Sequence, residues 1–124
     1  RLVFIAVAAD DKSLDPAERP GKLYAPFLEP IGYDMEGGLV LRRFQAGSPY
    51  QGEELVMTPP EGRAFWARCP VSRESPDSKV NEPCFTELRL DGLNVTLRFA
   101  RASLPEWERL RDGARTLVES FRKR

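Results

Sequence analysis

The sequence predicts an α+β domain in which an antiparallel sheet of five to six strands packs against one long C-terminal amphipathic helix. Three observations favour this fold class. Strand-like runs separated by turn signals recur from residue 39 to residue 100, an Asp91-Gly92 pair joins the last two runs, and helical periodicity is confined to the last part of the chain. The length of 124 residues is that of one domain, so we expect a single domain over 1–124.

The strands are expected where apolar runs lie between turn residues. Residues 1–9 are apolar on both faces, which is typical of a buried strand in the centre of a sheet. The further predicted strands are 39–44, 53–58, 64–69, 85–90 and 93–100. A two-residue Asp-Gly loop favours a type I′ turn, which fixes the register of the last hairpin. Leu90 then faces Leu93, and Cys84 faces Phe99, with apolar side chains on one side.

Two segments are expected to be irregular. Residues 10–38 are rich in proline and glycine, so we predict a long surface segment there. Tyr24, Phe27, Leu28 and Ile31 are the apolar side chains that could attach this segment to the core, either from a short helix or directly. Residues 70–83 are polar and are predicted to form a long hairpin loop.

The C-terminal helix is predicted from its apolar periodicity. A capping box of the Ser-x-x-Glu form at Ser103 and Glu106 indicates the helix start, with a proline in the first turn. The apolar stripe that follows has the spacing of one helix face. Its members are Trp107, Leu110, Ala114, Leu117, Val118 and Phe121.

The two cysteines flank the predicted long loop and occupy the feet of a hairpin. A bond between Cys69 and Cys84 would close a short ring and stabilise the fold by about 3 kcal/mol. The alternative is two buried free thiols in a cytosolic protein. The spacing is not that of a Cys-x-x-Cys redox pair, and two cysteines without any histidine cannot complete a zinc site. A disulfide would indicate an oxidising compartment, either the periplasm or the exterior.

Several chemistries are excluded by composition. The chain has no histidine, which removes histidine-based catalysis and histidine metal sites, and it has no Gly-rich phosphate loop. Glu53 and Glu54 are adjacent on a predicted strand, so their side chains point to opposite faces and cannot act together. The loop acids Asp10, Asp11 and Asp15 lack the spacing of a calcium loop. We therefore expect no catalytic residue, cofactor or metal.

The charges also argue against a nucleic-acid partner. The net charge is zero, with 19 basic and 19 acidic residues. The first half of the chain is net acidic and the second half net basic. A nucleic-acid binder would carry a stronger and more concentrated basic excess. We expect no nucleic acid to bind and infer that the two halves lie against each other.

One sheet face is the candidate binding surface. The face opposite the helix is predicted to display Trp66, Arg68, Phe85, Arg89 and Arg98. Aromatic and arginine side chains together are typical of interfaces, so this face could receive a protein partner or a small anionic ligand. The alternative is that residues 10–38 fold over this face, bury its two aromatic side chains and pair their acids with its arginines.

The function that fits these observations is a non-catalytic interaction module of a bacterial-type envelope protein. We expect it to be periplasmic or secreted, with any membrane attachment made by an anchor upstream of Arg1. A first alternative is a small carrier of lipophilic ligands. Its pocket between sheet and helix would be lined by Leu88, Val95, Leu97, Trp107 and Leu110. A hydrolase that depends on carboxylates is the third hypothesis.

Overall fold

The computed structural model describes residues 3–9, 12–71 and 83–122. Seven strands form one antiparallel sheet, and helix α1 (Trp107–Arg122) follows a 3-10 turn over Arg101–Glu106. The strands are β1 (Val3–Ala9), β2 (Leu28–Met35), β3 (Leu39–Phe44), β4 (Glu53–Met57), β5 (Trp66–Pro70), β6 (Cys84–Leu90) and β7 (Leu93–Phe99). Their order across the sheet is β1-β7-β6-β5-β4-β3-β2. The predicted α+β class is confirmed, but the sheet has seven strands and not five to six.

The last hairpin has the predicted register. Leu90 pairs with Leu93, and Cys84 pairs with Phe99. Asp91 has φ 50° and the following glycine has φ 78°, as a type I′ turn requires. The Asp-Gly loop therefore fixes which side chains of β6 and β7 face each side of the sheet.

The position of β1 differs from the prediction. The strand lies at one end of the sheet, where it pairs with β7, and all seven of its residues are exposed. A run that is apolar on both faces was expected to be central. The pattern shows only that neither face carries charge, and it cannot distinguish a buried strand from an apolar edge strand.

The other end of the sheet is β2, which lies inside the segment predicted to be irregular. Its pairing with β3 shifts between Leu28 and Gly32, and Pro30 lies within that irregular stretch. Proline is tolerated on an edge strand because its missing N–H faces no neighbour. The proline and glycine that hid this strand in the sequence are therefore compatible with its edge position.

One core lies between the sheet and α1. Its strand residues include Val56, Val95 and Leu97, which are fully or almost fully buried. From the C-terminal region, the buried residues are Leu104, Trp107, Ala114 and Val118. The helix thus packs on one face of the sheet, as predicted.

Two details of the helix correct the prediction. The turn before it begins at Arg101 as a 3-10 turn with Pro105 inside, and no side chain caps it. The helical segment thus starts before the predicted cap residue Ser103, which lies inside the 3-10 turn and is buried. Leu117 is 39% exposed and Phe121 is 61% exposed, so these two stripe residues do not reach the core.

A second core lies on the opposite face of the sheet. It is covered by the cover segment, which we define as residues 16–27, formed by three consecutive short helical turns. Tyr24 from this segment is 1% exposed and packs edge-on against Trp66, with ring centroids 5.5 Å apart. The other buried members of this core are Leu28, Phe44, Leu55 and Met57. The sheet is therefore covered on both faces, by a helix on one and by non-repetitive turns on the other.

The disulfide between Cys69 and Cys84 joins β5 to β6. The two sulfurs lie at bonding distance, both residues are fully buried, and their Cα atoms are 4.2 Å apart. The predicted bond is confirmed. The register between these strands matches Arg68 with Phe85 alone, so the covalent bond supports a junction with little backbone pairing. Of the predicted loop over 70–83, residues 72–82 lie outside the described part of the chain, as do the acids at 10 and 11.

No helix in the described part of the chain is both long enough and apolar enough to cross a bilayer.

Replacing both cysteines tests how much the junction depends on the bond. The double variant Cys69→Ala/Cys84→Ala should lose about 3 kcal/mol of unfolding free energy, because the unfolded chain regains the loop entropy that the bond removes. Guanidinium denaturation measures this loss. The wild-type chain in reductant is the control, since it loses the bond and keeps both sulfur atoms. An unchanged midpoint in both samples would contradict the structural role of the bond.

Candidate functional site

The five residues predicted to form a binding face share one side of the sheet, but the cover segment lies over part of it. Trp66 is 2% exposed, and its indole Nε1 donates a hydrogen bond to the Pro16 carbonyl oxygen at 2.8 Å. Phe85 is half-buried and packs edge-on against Trp66 at 6.0 Å. Trp66 is therefore part of the second core, where no partner could contact it without displacing the cover segment.

Arg68 is held between aromatic rings in this core. Its guanidinium carbon lies 4.6 Å from the centroid of Tyr50 and 4.8 Å from that of Phe85. Its Nε donates to the Glu53 carboxylate at 3.0 Å. Burial alone would lower the pKa of Arg68, but the hydrogen bonds to Glu53 and to the Tyr24 hydroxyl raise it above its ordinary value. Arg68 is a permanently charged group whose partners lie within the fold.

The remaining two predicted residues differ in their surroundings. Arg89 donates to the Ser13 carbonyl oxygen at 2.9 Å and to the Ser13 hydroxyl at 2.8 Å, so it holds the chain just before the cover segment. Arg98 is exposed and lies over Phe85, with its guanidinium carbon 5.5 Å from the ring centroid.

In the described part of the chain, which leaves out the acids at 10 and 11, the alternative pairing of these arginines with acids of residues 10–38 is not seen. The ion pair across this junction runs the other way, from Arg19 in the cover segment to Glu87 on β6. Burial alone would lower the pKa of Arg19, but hydrogen bonding to Glu87 raises it overall. Arg68 and Arg89 find their partners in Glu53 and in the oxygen atoms of Ser13.

A cleft opens in the sheet beside this junction. The β5–β6 register consists of the Arg68–Phe85 pair, while the pairing of β5 with β4 continues past Trp66 through Thr58 and Phe65. The resulting space is about 170 Å³. It is bounded by the start of the cover segment, by β6 and β7, and by α1. Its lining residues are Asp15, Ala17, Arg63, Ala64, Phe65, Trp66, Thr86, Glu87, Leu88, Arg89, Leu97, Arg111 and Arg115.

The cleft combines an apolar surface with a cationic rim. Its apolar side chains are Phe65, Trp66, Leu88 and Leu97, and its cations are Arg63, Arg89, Arg111 and Arg115. Because only two acids line the same space, the cleft carries a net positive charge. Such a mixture of apolar walls and a few convergent polar groups is typical of small-ligand sites.

The two acids in the cleft already have hydrogen-bond partners. Glu87 accepts from Arg19 and, at 2.7 Å, from the Asn94 amide. Asp15 accepts from the Ala17 backbone N–H at 3.0 Å. Arg19 balances the charge of Glu87 and Asp15 keeps its own, so the four arginines of the cleft face one unbalanced carboxylate.

The rim arginines are held loosely. Arg63 lies 3.9 Å from Glu61 and Arg115 lies 3.8 Å from Asp112, and both acids are more than half exposed. Exposed ion pairs of this kind contribute little free energy, so an anion in the cleft could compete for the same cations. Arg89 adds a buried Nε that lacks a hydrogen-bond partner within the described residues.

Arg111 is positioned more firmly by the helix. Its guanidinium carbon lies 5.1 Å from the Trp107 ring, and its Nε donates to Asp112 at 3.0 Å. It also donates to the Ala64 carbonyl oxygen at 3.5 Å. Arg111 therefore links α1 to the opening of the cleft.

The residues proposed for a lipophilic pocket all belong to the core under α1 or pack against it, but only two of the five line the cleft. Leu88 and Leu97 line the cleft. Val95 is fully buried and Trp107 is 9% exposed in the core under α1, and Leu110 packs against that core. The open space thus lies beside the helix-side core, and charged groups surround it.

Three arginines of the cleft were not predicted from the sequence. Arg111 and Arg115 are four positions apart on the helix, so their shared face could have been found from helical periodicity. Arg63 lies in the turn between β4 and β5, where no periodicity places a side chain. What the sequence could not show is that the helix would lie beside a gap in the sheet.

The comparisons with known proteins give no family. The chain matches no family model, and neither a curated protein nor a solved structure is significantly similar to it. Within the described residues, no group of three or more acidic, cysteine or histidine side chains could hold a metal ion. The function has to be argued from the cleft itself.

The Arg68–Glu53 pair should make a measurable contribution to stability. Arg68→Met leaves the Glu53 carboxylate without its main cation, and Glu53→Gln removes the charge that Arg68 bonds. Because both side chains are partly exposed, each change should cost about 1–2 kcal/mol of unfolding free energy. The double variant should cost less than the sum of the two, because the same interaction is lost in each. Urea denaturation of the four proteins gives the coupling energy, and strict additivity would show that the two side chains do not interact.

Proposed function

We propose that this chain is a non-catalytic binding module whose cleft between β5 and β6 takes an anionic group carried on a small apolar body. The observation that carries the proposal is the combination of an apolar surface with four arginines in one space, where the two acids are occupied by other donors. The ligand could be a free small molecule or an anionic side chain of a protein partner. Both present the same chemistry to the cleft.

The size of the cleft limits the apolar part of the ligand. Its volume is about 170 Å³. A dry protein cavity of roughly 150 Å³ accommodates a benzene ring. One aromatic ring or a short branched aliphatic chain therefore fits the space.

The charge of the cleft selects the head group. A guanidinium offers a planar pair of donors that matches a carboxylate or a phosphate, and such bonds are among the strongest in proteins. Arg63 and Arg115 are exposed enough to turn towards a ligand, whereas Arg111 is braced by Trp107. On binding, these arginines would exchange their weak surface ion pairs for hydrogen bonds to the ligand anion in a partly enclosed site.

The arrangement of the carboxylates favours binding over catalysis. Glu87 is shared between Arg19 and Asn94, and Asp15 accepts a backbone N–H. A general acid or base needs a carboxylate that can gain and lose a proton beside the substrate. The chain also has no histidine to take that role.

The proposed location is extracytoplasmic. The buried Cys69–Cys84 disulfide supports it, because such bonds form and persist in oxidising compartments. The module would meet its ligand or partner in the periplasm or outside the cell.

A titration with benzoate tests the proposal. Benzoate carries one ring and one carboxylate, so it should shift the NMR signals of Leu88 and Leu97 in a saturable way. Benzyl alcohol has the same ring without the charge and should bind at least about tenfold more weakly, since one charged hydrogen bond is worth roughly 1.5–3 kcal/mol.

Matched variants assign the binding to the rim. Arg111→Gln/Arg115→Gln should weaken benzoate binding by about tenfold or more. Arg109→Gln is the control, because this residue is on the same helix, is 86% exposed and does not line the cleft. Equal affinity for benzyl alcohol and benzoate would favour the lipophilic carrier instead. No saturable shift with either compound would overturn the proposal.

A further inference from the structure

The edge strand β1 presents an unusual surface for a protein in water. Among the described residues, four of the eleven exposed large hydrophobic side chains belong to this one strand. They are Val3 at 37%, Phe4 at 63%, Ile5 at 38% and Val7 at 48%. The remaining residues of β1 are alanines, so the strand has no charged residue, proline or glycine. Within the described residues, no strand lies on its outer side.

The opposite edge of the same sheet is protected. β2 carries Pro30, the charged residues Glu29 and Asp34, and a register shift between Leu28 and Gly32. These are the devices by which natural proteins prevent an edge strand from pairing with another chain. β2 has several of these protective features and β1 has none, so the free edge of β1 is open to pairing with another strand.

The side-chain pattern of β1 fits a second copy of itself. In an antiparallel pair centred on Ala6, residue 3 of one copy lies opposite residue 9 of the other, and residue 4 opposite residue 8. The exposed ring of Phe4 would then face the small side chain of Ala8, and Ile5 would face Val7. The two largest mismatches in size, Val3 with Ala9 and Phe4 with Ala8, are thereby matched large to small, whereas a parallel in-register pair would place Phe4 against Phe4.

The helix side of the sheet supports the same arrangement. Val3, Ile5 and Val7 pair with Phe99, Leu97 and Val95 of β7, so they lie on the side covered by α1. The four exposed apolar side chains of β1 amount to roughly 300 Å² per copy, towards the roughly 800 Å² per partner of a stable complex. The backbone and alanines of β1 add to that area.

We propose that β1 pairs antiparallel with β1 of a second copy of this chain, centred on Ala6, so that the two sheets become one continuous sheet. The pair is isologous, as in most two-fold dimers. It places both helices on the same side of the joined sheet, since the two-fold axis runs perpendicular to it. The cleft between β5 and β6 is two strands away from β1, so the dimer and the ligand site are independent.

Crosslinking tests the register directly. Both native cysteines are in the disulfide, so a new cysteine is the only free thiol in the chain. Ala6→Cys should form an intermolecular disulfide under mild oxidation, because the two copies of residue 6 face each other. Ala8→Cys is the control. Its two copies would be separated by about 13 Å along the strands, which is too far for a disulfide.

A second measurement checks the association without crosslinking. The wild-type chain should sediment at twice its 14.1 kDa monomer mass at high concentration and dissociate on dilution. Ala6→Glu should shift it to the monomer, because two like charges would face each other at the centre of the pair. Ile31→Glu places the same charge on the exposed part of β2 and should leave the dimer unchanged.

The outcomes are distinct. Crosslinking through residue 6 alone, together with loss of the dimer in Ala6→Glu, supports the proposal. A wild-type chain that stays monomeric at millimolar concentration overturns it. A dimer that crosslinks through residue 8, or that survives Ala6→Glu, also overturns it, because the copies would then meet elsewhere.

Discussion

The hydrogen bond from the Trp66 indole to the Pro16 carbonyl oxygen is the contact on which the rest of the structure depends. The sheet has apolar residues on both faces, while the described part of the chain provides one α-helix, which covers one of them. The other face is covered by the short helical turns of the cover segment. Trp66 attaches the start of this segment and Tyr24 attaches its later part, with both side chains almost completely buried.

The same packing creates the cleft. Trp66 contacts the cover segment at the point where the pairing of β5 with β6 ends, and the space between these two strands is open. The disulfide closes the other end of this junction, so the strands can separate at one end without coming apart. The cleft is thus bordered by the cover segment, by strands of the sheet and by α1, and its arginines come from a turn, a strand and a helix. A site of this kind depends on tertiary packing and not on any local motif.

The sequence was most informative where a local rule decides the structure. The Asp91-Gly92 turn requires two residues with positive φ, and that requirement set the register of β6 and β7 correctly. The sequence was least informative where the surroundings of a segment determine its position in the sheet. The apolar run of β1 has the same pattern whether it is central or at an edge, and β2 was hidden by Pro30, which an edge strand tolerates.

The candidate site was predicted in part for the same reason. The five side chains proposed for a binding face do share one side of the sheet, because alternation fixes which side chains share a face. Whether Trp66 is exposed or covered depends on how an irregular segment folds back, which no periodicity encodes. The rim arginines Arg63, Arg111 and Arg115 come together only after the helix has packed beside the gap between β5 and β6.

Hydrogen exchange at the Trp66 indole N–H tests most directly whether the cover segment closes the second face of the sheet. The signal is identified by its retention in Trp107→Phe, which removes the other indole. Because the indole N–H is bonded to Pro16 and buried, it should exchange as slowly as the backbone amides of β6 and β7, through global unfolding. Fast exchange at Trp66 while those amides stay protected would show that the cover segment opens independently, and would contradict the arrangement described for both the second core and the cleft.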